Sequence, residues 1–449
     1  MQRRQFLAAT AAFPVTAQDR RPNVIVILAD DMGYNDVGFQ GAKDIPTPHL
    51  DSIAKTGVRF TNGYVSHPFC SPTRAGLLTG RYQQRFGHEN NPRYDPADAV
   101  SGLPLDQVTL PQVLQSAGYK TGIAGKWHLG ATPAHHPLRR GFDEHFGFIG
   151  GGHDYFQANG PEEKREYFIP IERDGKPAPA GDYLTDAFSR EACAFIRRHR
   201  EHPFFLYVAY NTPHTPLQPA DKYLARAGHI KDELRRKYAA MVMALDDGVG
   251  KILATLRETN LDSGTIIFFM SDNGGPVGIN GSDNSPLRNS KGTVYEGGIR
   301  VPFAVRWPGR IMPAVYHHPV ISLDVFPTAA ALAGAKLPKN LQIDGVDLLP
   351  HLTGAKQEAP HKYLHWRWGG GPSWAIRDGR YKLVKPPVNS GKTDLELFDL
   401  TNDIGETKDI SDSHPKIVSE LRQVHENWNR ELIPPRFESP QPAAKKKKA

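Results

Sequence analysis

The chain has 449 residues, of which 39% are hydrophobic and 23% charged, a balance typical of soluble globular proteins. Its net charge of +7 includes four lysines near the C-terminal end, so charge alone favours polyanionic partners without separating nucleic acid from sulfated polymers. The two cysteines, Cys70 and Cys193, allow at most one internal disulfide, and no CxxC spacing predicts a zinc site.

The first 19 residues have the features of an export signal. Arg3 and Arg4 precede a short apolar stretch rich in small residues, and Thr16-Ala17 is a plausible cleavage region. The Arg-Arg-Gln-Phe-Leu sequence favours a signal of the twin-arginine type, with an ordinary secretion signal as the alternative. No later stretch approaches the ~18 apolar residues that cross a bilayer. We therefore expect an exported protein, periplasmic or secreted, without a transmembrane segment.

The following 300 residues alternate between predicted strands and helices. Continuous apolar runs at 23–29, 119–125, 203–210, 265–270 and 301–305 are typical of strands buried on both faces. Helical patterns at 110–118, 186–199 and 237–258 lie between them. This alternation predicts an α/β fold with a large, doubly wound, mostly parallel sheet flanked by helices. Ligands of such sheets bind at the carboxyl ends of the strands.

The composition changes in the last hundred residues. Short strand-like segments at 361–368, 374–384 and 394–400 are followed by one helical pattern at 415–432, which predicts a smaller antiparallel sheet with a helix packed on it. We predict a catalytic α/β domain over 22–355 and a C-terminal α+β subdomain over 356–433. The proline- and lysine-rich residues 434–449 are predicted to be a disordered basic tail.

Acidic and amide side chains follow two of the predicted strands. Asp30 and Asp31 end the first, and Asp272 and Asn273 end the strand at 265–270. Neighbouring strands would bring these groups together, and a hard cation such as Ca²⁺ or Mg²⁺ would relieve the repulsion between the carboxylates. The alternative is that each acid merely caps the following turn or helix. The pairing of both sets at strand ends favours a metal site.

Residues 70–80 (CSPTRAGLLTG) predict a helix that begins at a cysteine. Pro72 suits a first helical turn, so Cys70 would lie at the N-terminus, where free N–H groups and the helix dipole stabilise anions. Arg74 lies one turn further on, on the same side. These residues fit a nucleophilic cysteine of low pKa or a buried structural cysteine equally well.

This segment resembles the signature of the type I, formylglycine-dependent sulfatases, arylsulfatase-like members of the alkaline phosphatase superfamily. Further similar segments cover most of residues 22 to 310 in the same order: 23–38 (NVIVILADDMGYNDVG), 47–64, 122–130 (GIAGKWHLG), 140–147, 271–275 (SDNGG) and 291–303 (KGTVYEGGIRVPF). In that family a maturation enzyme oxidises the motif cysteine, here Cys70, to formylglycine. The resemblance thus implies this enzyme as a partner.

The resemblance also assigns roles to individual residues. Asp30, Asp31, Asp272 and Asn273 match the family's calcium ligands, with residue 70 also contacting the ion. Arg74 matches the residue that steadies the hydrated aldehyde, and Lys126 and Lys291 match lysines that hold the sulfate oxygens. His214 is implied as the general acid for the leaving oxygen, and His128 as the base that accepts a proton when sulfate leaves. Taken singly, such lysines and histidines are more often ordinary surface or structural residues.

The region around residue 152 departs from the related arylsulfatases. They carry a Ser-His-Asp segment that touches the substrate, and Gly152 stands here in place of the serine, before His153 and Asp154. The hydroxyl contact is therefore lost or supplied elsewhere, while His153 and Asp154 remain candidates for substrate binding. His88 and Glu89 are weaker candidates, with an ordinary loop role equally open.

We therefore expect a sulfatase that hydrolyses sulfate monoesters, of sulfated carbohydrates by preference, with Ca²⁺ (or Mg²⁺) and no nucleic-acid partner. One alternative is a phosphate or phosphonate ester hydrolase on the same fold. The other is a non-catalytic protein that binds sulfated polysaccharides. The sequence does not indicate the oligomeric state.

Overall fold

The computed structural model of the chain describes residues 21–158, 166–179, 181, 183–387, 390–391 and 394–438. Its strands are β1 Asn23–Ala29, β2 Val58–Phe60, β3 Gly63–Tyr64, β4 Lys120–Lys126, β5 Glu144–Phe148, β6 Glu172–Arg173, β7 Lys176–Pro177, β8 Phe204–Ala209, β9 Thr265–Ser271, β10 Phe303–Arg306, β11 Ala314–Tyr316, β12 Val320–Ile321, β13 Leu364–Trp368, β14 Ser373–Arg377, β15 Tyr381–Lys385 and β16 Glu396–Asp399. Its helices are α1 Pro48–Lys55, α2 Cys70–Thr79, α3 Leu110–Ser116, α4 Leu184–Arg198, α5 Asp221–Arg226, α6 Glu233–Glu258, α7 Glu296–Ile299, α8 Val325–Leu332, α9 Leu349–Leu352 and α10 Pro415–Asn429.

A ten-stranded sheet forms the centre of the molecule, in the order β11-β2-β10-β9-β1-β8-β4-β5-β6-β7. The five strands from β9 to β5 are parallel to one another. Because side chains alternate between faces, β1 places Ile25 and Ile27 in a core with α1, α4 and α6, and Val24 and Val26 in a second core with α2, α3 and α8. The expected α/β fold, with a mostly parallel sheet between two layers of helices, is confirmed.

Antiparallel pairings flank these five strands on both sides. β10 runs opposite to β9 and β2, and β6 runs opposite to β5. Because β10 is antiparallel to β9, the polar residue that follows the run predicted at 301–305 lies at the opposite end of the strands from Asp30 and Asp272. Arg306, at that end, pairs with Asp262 and donates a hydrogen bond to Thr56.

A second, four-stranded antiparallel sheet contains β13 to β16 in sequence order, and α10 packs on it against β14 and β15. This confirms the expected C-terminal sheet and helix, while the domain boundary at 355/356 stays a prediction. Trp366 of β13 is buried and donates from Nε1 to the carbonyl of Val65, so the small sheet packs directly on the chain segment that leads to α2.

A buried ionic network joins the small sheet to α7. Lys382 of β15 is fully buried, and its ammonium lies 2.8 Å from Glu296 Oε1 and 2.8 Å from Glu406 Oε1. Glu296 begins α7, only five residues after Lys291, and also pairs with Arg300. Lys382 therefore fixes the segment that carries a predicted sulfate-binding lysine.

Residues 434–438 are folded, although the prediction placed them in a disordered tail. The backbone N–H of Arg436 donates to the carbonyl of Gly87, and Asn90 donates to the carbonyl of Phe437. The Phe437 ring lies 5.1 Å from that of His88. The apolar contact of Phe437 explains why this part of the proline-rich stretch is ordered. Residues 439–449 and the predicted export signal lie outside the described residues.

Among the residues that the structure describes, no helix combines the length and apolar composition needed to cross a membrane.

Candidate active site

The predicted acidic residues meet at one edge of the central sheet. β1 and β9 are parallel neighbours with Ala29 opposite Ser271, so the next residues along each strand emerge side by side. The backbone N–H of Asp31 lies 3.3 Å from Asp272 Oδ1, and the Asn273 amide donates to Asp31 Oδ1 at 2.7 Å. Asp31 has φ of 65°, which non-glycine residues seldom adopt and which turns its carboxylate into the cluster.

Cys70 begins α2 and points at this cluster. Its Sγ lies 3.4 Å from Asp30 Oδ1 and 3.2 Å from the Lys291 ammonium. It is buried and is not bonded to Cys193, which lies in a different part of the core. Burial raises the pKa of the Cys70 thiol, and Asp272 adds to the rise. This burial disfavours the low-pKa cysteine nucleophile that the helix terminus alone would allow.

Three cationic side chains surround Cys70. Lys126, at the end of β4, lies 2.6 Å from Asp30 Oδ2, and Lys291 lies 2.6 Å from Asp31 Oδ1. Arg74, one turn into α2, donates from Nε and NH2 to Asp272 Oδ2 at 3.1 and 2.8 Å. The structure therefore brings together all three cations predicted from the sequence.

The carboxylates of the cluster differ in proton affinity. Burial raises the pKa of Asp272 to about 6, and the neighbouring Asp30 adds to the rise. Burial would also raise the pKa of Asp30, but Lys126, His214 and Arg74 together hold it below its usual value. Acidic groups packed this closely depend on positive charge for their ionised form.

The residues present fit a hard metal ion. Ligand atoms of Asp30, Asp31, Cys70 and His214 all lie within 4.8 Å of one another. Asn273 Oδ1 is buried and accepts no hydrogen bond from the part of the chain that the structure describes. A buried acceptor without a donor is unfavourable, and a cation beside it would satisfy it. Carboxylate and amide oxygens are the ligands that Ca²⁺ and Mg²⁺ prefer.

The two predicted histidines reach the same cluster from different loops. His214 Nε2 lies 3.5 Å from Asp31 Oδ2, while Nδ1 is 2.6 Å from the carbonyl of Thr215 and therefore carries a proton. His128, two residues after β4, has φ of 62° and a buried Nδ1 without a described partner. Burial lowers the pKa of both histidines, and Lys126 and Arg74 lower that of His128 further.

His153 and Asp154 make hydrogen bonds to nearby groups of the protein. Both ring nitrogens of His153 lie within 2.8 Å of main-chain carbonyls, those of Asp154 and Ile169. The Asp154 carboxylate accepts from the backbone of Phe156 and from the amide of Gln218. These contacts shape the loop, so in the described part of the chain neither side chain offers a free atom to the cluster. Their role in substrate binding stays a prediction.

His88 and Glu89 take structural positions. His88 Nε2 lies 2.6 Å from the Ser71 hydroxyl, which itself donates to the carbonyl of His128. Glu89 pairs with Arg367 of β13. These contacts hold the start of α2 and the small sheet together.

Tyr167 and Glu166 are two residues near the site that the sequence analysis missed. A Cβ atom at Gly152 would lie 2.6 Å from Tyr167 Cε1, so the absence of a side chain there makes room for the tyrosine ring. A Cβ atom at Gly151 would lie 2.6 Å from His128 Nε2 and 2.9 Å from Glu166 Oε1. The two glycines thus allow this loop to approach the histidine closely. The run of three glycines was the available signal.

Two family models match the chain. The model described as "Sulfatase" covers residues 22–335, and the one described as "N-sulphoglucosamine sulphohydrolase, C-terminal" covers residues 289–431. The first spans the central sheet and every residue of the cluster.

Similar proteins agree with these models. N-acetylgalactosamine-6-sulfatase of Mus musculus is 37% identical, over 92% of this chain and 87% of that protein. Arylsulfatase A of Homo sapiens is 34% identical, over 94% and 90%. The crystal structure of Ps i-CgsB in complex with k-i-k-neocarrahexaose is 42% identical, covers 93% of this chain and 95% of that chain, and superposes with a TM-score of 0.87.

Proposed function

The chain belongs to the sulfatase family and is a sulfuric ester hydrolase, and we propose that it removes sulfate from sulfated carbohydrates by means of a formylglycine made from Cys70. The observation that carries this proposal is the convergence of Arg74, Lys126 and Lys291 on the start of α2. Fixed cations around the reacting group stabilise charge that builds up on a transferring sulfuryl group, because they need no reorganisation during the reaction.

The residues of the cluster divide into two groups by chemistry. Asp30, Asp31, Asp272 and Asn273 would hold Ca²⁺, or Mg²⁺, as oxygen ligands. When present, the formylglycine supplies the attacking hydroxyl and the metal ion supplies Lewis-acid charge. Arg74 keeps Asp272 in place through two hydrogen bonds, so its task is to position the ligand and orient the start of α2.

Lys126 and Lys291 are the residues that bind the sulfate oxygens. Both ammonium groups lie next to carboxylates of the cluster. Burial lowers the pKa of each lysine, but these carboxylates outweigh it and raise the pKa above its usual value. The lysines therefore stay charged at any physiological pH. A sulfate monoester bears a single negative charge, which these two ammonium groups can balance without a further cationic contact.

The two histidines handle protons. His128, with a lowered pKa, is neutral near pH 7 and able to accept a proton. His214 keeps a proton on Nδ1 for the Thr215 carbonyl, so the proton given to the leaving oxygen must be carried on Nε2, beside Asp31. Burial lowers the pKa of His214, while Asp30 and Asp31 oppose that fall and so favour the protonated form that a general acid requires.

A carbohydrate substrate is supported by the named relatives. One is an N-acetylgalactosamine-6-sulfatase, and another binds a neocarrahexaose in its crystal structure. Trp368 is a candidate sugar contact, because its ring lies 5.6 Å from that of Phe69, the residue before Cys70. Aromatic rings at such a position suit the apolar face of a sugar. Export by the predicted N-terminal signal would bring the enzyme to such polymers.

Mass spectrometry of the tryptic peptide 60–74 is the first test. Protein from a host with the maturation enzyme should show the mass for conversion of the Cys70 CH2–SH group to an aldehyde. That protein should cleave an aryl sulfate much faster than the matched aryl phosphate, and Cys70→Ser should lose this turnover. A thiol at position 70 in fully active protein would refute the proposal, and faster cleavage of the phosphate would favour the phosphatase alternative. Matured protein that binds sulfated oligosaccharides without turnover would favour the binding-protein alternative.

A further inference from the structure

A second group of metal-binding side chains lies outside the catalytic cluster. His136, His145 and Glu172 each offer a ligand atom, and these atoms lie within 4.8 Å of one another. His136 Nε2 is 3.1 Å from Glu172 Oε2, close to the separation of two neighbouring ligands around one tetrahedral ion. The three residues come from the loop before β5, from β5 itself and from β6, so three separate segments meet here.

His145 is the unusual member of this group. Its side chain belongs to a residue that is only 1% exposed, and neither ring nitrogen has a hydrogen-bond partner in the described part of the chain. Its ring lies 5.1 Å from the His136 ring, nearly perpendicular to it. A buried imidazole with both nitrogens unpaired is unfavourable, and a metal ion bound to one of the nitrogens would offset that cost.

We infer that His136, His145 and Glu172 form a site for a divalent transition metal ion, of which Zn²⁺ fits best. Two imidazoles and one carboxylate are borderline ligands that suit Zn²⁺ and are poor for Ca²⁺, so this site and the catalytic cluster differ in the ion they select. The side chains of His136 and Glu172 are 13% and 23% exposed, which leaves an entry path and room for a water as fourth ligand. His145 closes the site from the protein interior.

Two other interactions compete with a metal ion for His136. The backbone N–H of Leu138 donates to His136 Nδ1 at 3.3 Å, and a metal at Nε2 would move the ring proton to Nδ1 and end this contact. The contact is long, and therefore weaker than a metal–imidazole bond. His136 can also pair with Glu172 as an imidazolium ion. Because an imidazolium ion cannot bind a metal ion, protons compete with the metal for His136.

The position of the site suggests what the ion does. His145 lies on β5 and Glu172 on β6, and the chain between them carries Gly151, which approaches His128, and Tyr167, whose ring lies against Gly152. An ion held by both strands would fasten the two ends of this loop to the sheet. The ion would thus act on the stability of the rim and take no part in the chemistry at Cys70.

Zinc titration of the full chain, freed of any affinity tag and kept in excess Ca²⁺, tests the inference. We expect about one equivalent of Zn²⁺ per chain to survive gel filtration, as measured by plasma mass spectrometry, and to raise the midpoint of thermal unfolding. Glu172→Gln and His136→Gln should each lose that equivalent and the thermal shift. His199→Gln, at a neighbouring histidine that pairs with Glu144, is the matched control and should keep both.

Either of two results would overturn the inference. Absence of a retained equivalent in the wild-type chain, or retention of it in both Glu172→Gln and His136→Gln, would show that only adventitious zinc binds. The variants replace partly exposed side chains, so they should fold. Anomalous diffraction at the zinc edge would add the location, with ligand distances of about 2.0–2.2 Å if the site is the one described.

Discussion

Replacement of the buried Lys382 by methionine should destabilise the whole protein. The lysine lies between Glu296 and Glu406 with no exposed surface, and its removal would leave two buried carboxylates facing one another. Breaking a buried ion pair from one side typically costs about 3–5 kcal/mol. We expect a loss of that size at about pH 9 in urea unfolding followed by tryptophan fluorescence, with refolding used to establish reversibility. Lys385→Met, on the same strand but partly exposed, should change stability by less than about 0.5 kcal/mol.

The loss should depend on pH in a defined direction. Burial raises the pKa of Glu406 to about 7, with Lys382 opposing and Glu296 reinforcing the rise. A carboxyl group whose pKa is raised by folding contributes stability that is fully present below its pKa in the unfolded chain. That stability disappears as pH rises through its pKa in the folded protein. Without Lys382 the folded pKa moves higher still, and each unit is worth about 1.4 kcal/mol.

The variant should therefore lose less stability at about pH 5.5 than at about pH 9, because Glu406 is then protonated in both folded proteins. A second substitution, Glu406→Gln, should recover part of the loss at high pH. An equal loss at both pH values, or a loss no larger than that of Lys385→Met, would refute the view that charge compensation fixes this network.

Three further outcomes are expected at the catalytic cluster. Lys291→Met should lower kcat for an aryl sulfate by about 10²–10³-fold, the usual effect of removing one fixed electrostatic contact, whereas an unchanged kcat would exclude a role for this lysine in the transition state. Gly152→Ser should raise KM for a sulfated sugar several-fold because the new Cβ meets the Tyr167 ring. The double variant Gly152→Ser, Tyr167→Ala should recover part of that loss, and equal KM values for the wild type and Gly152→Ser would show that the ring position is immaterial. Removal of divalent ions by a chelator should abolish turnover, and added Ca²⁺ should restore it. Asp31→Asn should need a higher Ca²⁺ concentration for the same recovery, and full activity of chelated protein, verified metal-free, would contradict the assigned ligands.

The meeting of Asp30 with Asp272 was predictable because the same short segments indicate both the strands and the polar residues that follow them. The apolar run before Asp30 and the one before Asp272 indicate parallel buried strands, and parallel neighbours place their carboxyl ends together. His128 and His214 lie in loops without periodicity, so only the resemblance to a known family pointed to them.

Other features could not be predicted because their partners are distant in sequence. Tyr167 approaches the site only because Gly152 lacks a side chain, and no local pattern records that pairing. Lys382 shares the inner face of β15 with Val384, so an inward lysine was a possible signal. Its partners Glu296 and Glu406 are distant in sequence and could be identified only from the folded structure. For the same reason the ordering of residues 434–438 was missed.

The Lys382 network has a consequence for the order of events during synthesis. A nascent chain that has emerged as far as α8 holds every residue of the catalytic cluster, yet lacks the lysine that neutralises Glu296 behind Lys291. It also lacks Trp368, which covers Phe69 beside Cys70. The catalytic half should therefore stay loosely closed until the ribosome has finished β15. That delay would leave Cys70, which is buried in the finished protein, accessible to the proposed oxidising enzyme while residues 333–385 are translated.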